Sequence, residues 1–156
     1  MIRAARDADA AGLIALVGAC WAEYPGCVLD VDGEVPHLRR IAGAFAEWGG
    51  AAFVAEEDGE VVGSVGWVPC SDAGVELRMV YVAARARRRG LGERLVGLVE
   101  AAARERGAEE VELWSDTRFL DAHRLYERLG YLRSPVTREL HDLSHTVEHH
   151  FRKHLR

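Results

Sequence analysis

The middle of the chain alternates apolar and polar residues with the two-residue period of a half-buried strand. Runs at Ala51–Glu56 and Glu60–Val68 flank Asp58-Gly59, a pair that favours the tight turn of a β-hairpin. A third strand is predicted at Val75–Val82, with its residues divided between two faces. One face is expected to carry Val75, Leu77, Met79 and Tyr81, and the other Glu76, Arg78 and Val80.

Four other segments carry apolar residues at the spacing of an amphipathic helix. They begin or end at turn and cap residues, which sets their approximate limits. The first runs from a cap at Asp7 to just before Tyr24-Pro25-Gly26, the second covers about Pro36–Trp48, the third runs from about Gly90 to Arg106, and the fourth ends at Leu129 before Gly130. The stretch Cys27–Pro36 between the first two is predicted to be a loop, because it is rich in Asp and Gly.

Short strands at the N-terminus and at Val111–Trp114, Tyr131–Leu140 and Val147–Leu155 complete the pattern. The predicted order is strand, two helices, three strands, helix, strand, helix, two strands. An antiparallel meander that feeds a β-α-β crossover predicts an α+β fold: one domain over residues 1–156, with a mixed, mostly antiparallel sheet and helices on both faces. A right-handed crossover makes Val75–Val82 and Val111–Trp114 parallel neighbours.

Composition narrows the class of protein. The 156 residues have 49% hydrophobic and 29% charged positions and a net charge of −5, which disfavours nucleic acid and membrane surfaces as partners. Three cysteines without metal-ligand spacing indicate neither a disulfide framework nor a zinc site, so a cytoplasmic protein is expected. The tail histidines follow a strand-like alternation that separates their side chains, and no metal is therefore expected.

The turn Arg87-Arg88-Arg89-Gly90-Leu91-Gly92 lies between a predicted strand and a predicted helix. Glycines allow the tight turn, and the free amides at a helix start favour an anion. The arginines, with Arg85, are expected to add charge-assisted contacts, so a pyrophosphate suits the turn. Taken alone, the six residues leave open a basic turn whose glycines serve packing. A Walker-type loop is excluded, because no Lys-Ser or Lys-Thr follows the second glycine.

Two motifs together resemble a known family. The turn is similar to the [Arg/Gln]-x-x-Gly-x-[Gly/Ala] signature of the GNAT N-acetyltransferase superfamily. The segment from Ala122 to Tyr131, Ala-His-Arg-Leu-Tyr-Glu-Arg-Leu-Gly-Tyr, is similar to the family's second helix motif. The stretch just before Ala122 departs from the family pattern, because Arg118 to Asp121 stand where many members carry an Asn.

The resemblance implies acetyl-CoA as cosubstrate, without a metal. Backbone amides of Arg87, Arg88, Arg89, Gly90, Leu91 and Gly92 would bind its pyrophosphate. Main-chain groups around Val80 and Val82 would bind the pantetheine arm, beside a slot where the sheet splays. A small-molecule or protein amine would be the acceptor, and a homodimer through the C-terminal strands is an open option.

The resemblance also assigns two side chains to catalysis. Tyr126 would be the general acid that protonates the leaving thiolate, whereas its position on an apolar helix face also fits a core tyrosine. Glu76 would be the general base, with a solvated or Arg-paired carboxylate, through Arg78 or Arg138, as the alternative. Trp21 and Tyr24 are candidates for an acceptor pocket, and His123 is expected to be solvated.

The predicted function is therefore N-acetyl transfer to a primary amine by direct attack in a ternary complex. Direct attack is favoured because no activated Cys or Ser is evident. A CoA-binding sensor of the same fold that has lost turnover is the alternative.

Overall fold

A computed structural model describes residues 1–155 and contains a seven-stranded sheet in the order β1-β2-β3-β4-β5-β7-β6. The strands are β1 (Ile2–Ala4), β2 (Ala51–Glu57), β3 (Glu60–Ser71), β4 (Gly74–Val82), β5 (Glu110–Asp116), β6 (Leu132–Glu139) and β7 (Val147–His154). The helices are α1 (Ala10–Ala22), α2 (Val31–Glu34), α3 (Ile41–Glu47), α4 (Leu91–Glu105) and α5 (Leu120–Arg128).

Every neighbouring pair of strands is antiparallel except β4 and β5, which α4 connects as a crossover. One apolar cluster packs α4 and α5 against one face of the sheet, around Leu95, Val99 and Leu113. A second packs α1 and α3 against the other face, around Leu13 and Phe45. The mixed, mostly antiparallel sheet with helices on both faces is thus confirmed.

The region between α1 and β2 differs from the prediction in two places. The predicted Cys27–Pro36 loop contains the short helix α2, at whose start the Asp30 carboxylate accepts a hydrogen bond from the Gly33 amide at 3.1 Å. The predicted helix Pro36–Trp48 is broken at Arg40, whose backbone is not helical (φ −148°, ψ 58°), into a 3₁₀ turn at Pro36–Arg39 and α3. The break allows Leu38 and Ile41 to be buried together in the same core, at 1% exposure each.

Strand β4 contains a β-bulge that overturns the predicted alternation. Arg78 lies opposite Gly66 and Tyr81 opposite Ser64, so Met79 and Val80 together face one β3 residue. Met79 has φ +59°, and the Ser64 hydroxyl donates to its carbonyl at 2.7 Å. Beyond the bulge the faces exchange: Val80 packs with the α4–α5 core, whereas Met79 and Tyr81 pack with the α1–α3 core. The prediction that Met79 and Tyr81 share a face with Leu77 is therefore wrong.

Candidate active site

Strands β4 and β5 separate halfway along their length. Their pairing ends at Leu77 opposite Leu113, although β4 continues to Val82 and β5 to Asp116. Beyond Leu77, β4 pairs only with β3, and backbone groups on its other edge face a gap rather than a strand. The bulge and the gap together open the sheet at its centre.

Two cavities adjoin this gap. The turn cavity, of about 360 Å³, is lined by the turn before α4 and by α5. The inner cavity, of about 120 Å³, lies between β4, β5, β7 and the end of α1. Both cavities are lined by Val80, Tyr81, Phe119 and Ala122. The two spaces are therefore adjacent, and β4 beyond its bulge borders both.

The turn has the backbone of an anion site. Gly90 adopts φ +76° and α4 begins at Leu91. The first intrahelical hydrogen bond runs from the Arg94 amide to the Gly90 carbonyl at 3.1 Å, so the amides from Leu91 to Glu93 have no acceptor within the helix. No side chain caps this start, and the helix dipole adds a favourable field for negative charge.

The arginine side chains of the turn are largely committed to protein carboxylates. Arg85 pairs with Glu60. Nη2 of Arg89 donates to both carboxylate oxygens of Glu57, at 2.8 Å each. Arg87 pairs with Glu23, which leaves Arg88 as the turn arginine that lines the turn cavity without a carboxylate partner among residues 1–155. Of the four arginines expected to add charge-assisted contacts to an anion, three are therefore paired with protein carboxylates.

Tyr126 on α5 combines a buried ring with a hydroxyl at the inner cavity. The residue is 5% exposed, and its ring packs against Phe151 and Tyr131 with centroids 5.7 and 6.0 Å away. Within residues 1–155 its hydroxyl has no hydrogen-bond partner, and Tyr126 lines the inner cavity. Burial raises the pKa of the phenol, so the hydroxyl keeps its proton and is available as a donor. The ring belongs to the core and the oxygen to the cavity.

Glu76, the candidate base, points away from the α4–α5 core. Its two carboxylate oxygens accept hydrogen bonds from Arg78 at 3.0 and 3.2 Å, and its side chain is 14% exposed. It lies outside the lining of both cavities. The Arg-paired arrangement considered for this residue is thus the one present.

Three carboxylates that sequence reasoning did not single out line the inner cavity: Asp116, Asp142 and Glu148. Asp116 ends β5 and binds Arg118 through both oxygens, at 2.9 and 2.7 Å. Burial raises the pKa of Glu148 on β7, even though its Oε1 accepts a hydrogen bond from Arg138 at 2.7 Å. The tail alternation places Glu148 in a strand, but its partners depend on a register that the sequence does not specify.

His123 also differs from its prediction, because it is 5% exposed rather than solvated. Its Nε2 lies 3.0 Å from the Asp116 carbonyl oxygen, and its ring packs 5.3 Å from that of Phe151. Burial lowers the pKa of the imidazole, so the neutral ring donates Nε2–H to that carbonyl. Strand β7 covers the helix face on which His123 lies, which an isolated helix pattern could not reveal.

The two aromatic candidates at the end of α1 divide between the cavities. Trp21 lines the inner cavity and donates from Nε1 to the Tyr81 hydroxyl at 3.1 Å. Tyr24 lines the turn cavity, and its ring packs at a tilt of 43° against that of Phe119, with centroids 4.8 Å apart. Among residues 1–155 no cluster of three His, Cys, Asp or Glu side chains is arranged for a metal, and no helix has the length and apolar character needed to cross a membrane.

Comparisons with known proteins agree with this geometry. The sequence model of the Acetyltransferase (GNAT) family matches residues 15–131. Human N-acetyltransferase 8 is 32% identical over 120 residues, which cover 73% of this chain and 51% of that protein, so the chain spans about half of that relative.

Two solved structures share the fold over the whole chain. The GNAT acetyltransferase of Staphylococcus aureus Mu50 superposes with a TM-score of 0.85 at 17% identity, covering 100% of this chain and 99% of that one. The protein YncA of Salmonella typhimurium, solved with acetyl-CoA, gives 0.74 at 20% identity, covering 100% and 94%. Because the family's sequence model matches residues 15–131, the chain belongs to the GNAT acetyltransferase family.

Proposed function

We propose that this protein transfers the acetyl group of acetyl-CoA to a primary amine of a small molecule or a protein. The observation that carries the proposal is the adjacency of the two cavities: one begins at an anion-binding helix start and the other holds the Tyr126 hydroxyl. YncA binds acetyl-CoA within the same fold, which supports the assignment of the donor.

The donor would occupy the turn cavity. Backbone amides from Arg88 to Gly92 would bind its pyrophosphate, because the turn presents unpaired N–H groups at a helix start. The Arg87 amide, also assigned to this role by the resemblance, instead donates to the Ala84 carbonyl at 3.3 Å. Main-chain groups of Val80 and Val82 would bind the pantetheine arm along the open edge of β4. A cavity of about 360 Å³ is large enough for the arm of such a ligand to enter.

Transfer would proceed by direct attack of the neutral amine on the thioester carbonyl. A β4 amide near Val80, at the bulge, would stabilise the negative charge that develops on the carbonyl oxygen. Tyr126 would give its proton to the departing thiolate, because its hydroxyl is protonated, unpaired and at the cavity. Glu76 would take part as a base only through water or after release from Arg78, since its carboxylate lies outside the cavities.

The test is release of free thiol from acetyl-CoA across a panel of primary amines, with detection of the acetylated product by mass spectrometry. We expect amine-dependent thiol release that saturates with acetyl-CoA. Gly90→Asp is the matched control, because it adds a negative charge at the phosphate site. Tight CoA binding without turnover on any amine would instead identify a CoA-binding sensor of this fold.

A further inference from the structure

The inner cavity has a carboxylate face built by three strands. Asp116 on β5 lies opposite Glu148 on β7, and Glu148 lies opposite Arg138 on β6. Residues directly opposite one another in antiparallel strands point to the same face of a sheet. Trp114, two residues before Asp116, shares that face. The carboxylates therefore lie at the end of the sheet beyond the part that α1 and α3 cover.

Only one of the three cavity carboxylates has an unused oxygen. Asp116 binds the Arg118 guanidinium through both oxygens, and Asp142 receives the Thr146 amide on one oxygen and the Thr146 hydroxyl on the other, each at 2.7 Å. Glu148 accepts from Arg138 on Oε1 alone. Its Oε2 has no partner among residues 1–155 and is not sealed from the cavity, although the side chain is only 15% exposed.

Aromatic side chains form much of the remaining wall: Trp21, Tyr81, Trp114, Phe119 and Tyr126. The faces of such rings attract cations and offer little to anions. Arg138 already makes this contact, with its guanidinium carbon 4.2 Å from the centre of the Trp114 ring. A free carboxylate oxygen beside aromatic faces matches a substituted ammonium ion in charge, size and apolar surroundings. Tyr126, whose hydroxyl has no hydrogen-bond partner among residues 1–155, supplies a second polar group to the lining of this cavity.

From this arrangement we infer that Glu148 is a catalytic residue: its Oε2 binds the acceptor as a primary ammonium ion and removes the proton that blocks attack. The inference rests on the proposed function for the transfer step, but not for ammonium binding. An ammonium ion has no lone pair, so one N–H bond must break before nitrogen can attack carbon. Glu148 takes this first proton and passes it to solvent. When the C–N bond forms and the C–S bond breaks, the sulfur gains a proton from Tyr126, and the second proton that the nitrogen loses returns through solvent to the Tyr126 oxygen.

Glu148 suits this task because its surroundings favour its protonated form more than water does. Burial is the main cause of its raised pKa, and the negative charges of Asp116 and Glu76 add to it, while Arg138 opposes it. Charged and titratable groups surround it from several elements. They are Asp116 on β5, His150 two residues along β7 itself, Arg138 on β6, Glu76, Arg78 and Tyr81 on β4, and Asp142 on the loop before β7. A base with a raised pKa accepts a proton from an ammonium ion more readily than an exposed glutamate does.

The first arm of the experiment measures binding alone, on the full chain saturated with CoA. 2-Phenylethylamine is compared with 2-phenylethanol, which has the same ring and chain but no charge. We expect the amine to bind at least about tenfold more tightly to the wild type, and Glu148→Gln to bind both equally. Arg138→Gln, which keeps the Glu148 carboxyl group but removes its arginine partner, should keep the preference when binding is measured well above the raised pKa of Glu148. Equal binding of the two probes by the wild type, or a preserved preference in Glu148→Gln, would overturn the proposal.

The second arm measures turnover against pH. In the wild type, kcat/KM for the amine should fall on the acid side as Glu148 becomes protonated, and Glu148→Gln should lose about 100-fold together with that acid limb. Glu47→Gln, which changes an exposed carboxylate on α3 that lines neither cavity, should keep both the rate and the acid limb. Glu76→Gln is measured beside it as the test of the other candidate base. A loss in Glu76→Gln with an unaffected Glu148→Gln would overturn the proposal. If the wild type prefers the amine but transfers no acetyl group, the ammonium site is supported and the proposed function fails.

Discussion

Arg87, the first residue of the turn before α4, donates from both of its terminal nitrogens to Glu23, immediately after α1, at 2.7 and 2.6 Å. Its Nε also donates to the Val82 carbonyl at 2.9 Å. The arginine lowers the pKa of Glu23 and keeps it ionised. One side chain thus ties the turn to the end of β4 and to the helix that borders the inner cavity.

Replacement of Arg87 by alanine is expected to weaken CoA binding about tenfold, because the turn loses its anchor to Val82 and α1 while its backbone amides remain. Glu23→Gln should weaken binding only about two- to five-fold, since the pair is partly exposed and worth about 0.5–1 kcal/mol. Isothermal titration of CoA on both variants and on the double mutant measures the coupling. An unchanged Kd in Arg87→Ala would show that the turn holds its shape without the anchor.

Tyr126→Phe should lower kcat by about 100-fold or more and leave the Kd for CoA within a factor of two, because only a proton donor is removed. Steady-state kinetics with the best amine of the panel and CoA titration provide the two numbers.

Tyr131→Phe is the matched control, since the same hydroxyl is removed from a neighbouring buried ring. The Tyr131 hydroxyl donates to Glu100 at 2.9 Å, so its loss should cost about 1–2 kcal/mol of unfolding free energy and little activity. Equal kcat losses in the two variants would mean that Tyr126 supports the core rather than the chemistry.

The sequence predicts most of the fold and the turn proposed to bind the donor, since both depend on local signals. The Arg87–Gly92 turn and the Tyr126 helix are contiguous motifs, and periodicity placed the strands around them. Long-range register explains what was missed. The bulge at Met79 follows from pairing with Ser64 and Gly66, and His123 is buried because β7 lies over α5. Likewise, the carboxylates of the inner cavity meet only through the β5–β7–β6 register.

Gly90→Asp should weaken CoA binding at least about 100-fold, because it adds a negative charge where the pyrophosphate is proposed to bind. A side chain at Gly90 meets no atom within 4 Å, so the remaining cost is the strain of φ +76°.

Gly107→Asp isolates that strain. Gly107 has φ +74° and equally open surroundings just after the C-terminal end of α4, at the opposite end of the helix from the proposed site. Both variants should lose a similar few degrees of Tm, with CoA affinity lost in Gly90→Asp alone. Parallel losses of affinity would indicate that the strain, not the charge, disturbs the turn.

The link between β1 and α1 should make stability depend on acid pH. Arg3 donates to both oxygens of Asp9, at 2.9 and 2.8 Å, and also to Glu56 at 2.8 Å. The hydrogen bonds from Arg3 are the largest cause of the lowered pKa of Asp9. Since the folded protein binds the Asp9 proton more weakly than the unfolded chain does, this stabilisation is complete above the ordinary pKa of 3.8 and is lost as pH falls through the lower folded value.

Arg3→Gln should therefore cost about 2 kcal/mol of unfolding free energy at pH 7, because the buried Asp9 carboxylate loses its cation. The difference from wild type should shrink in urea titrations between pH 4 and about pH 2, as Asp9 takes up its proton. Arg39→Gln removes an arginine whose partner, Asp32, is exposed, and it should leave stability unchanged at either pH. A cost in Arg3→Gln that stays constant down to pH 2 would assign the effect to lost packing of the arginine stem rather than to the Asp9 charge.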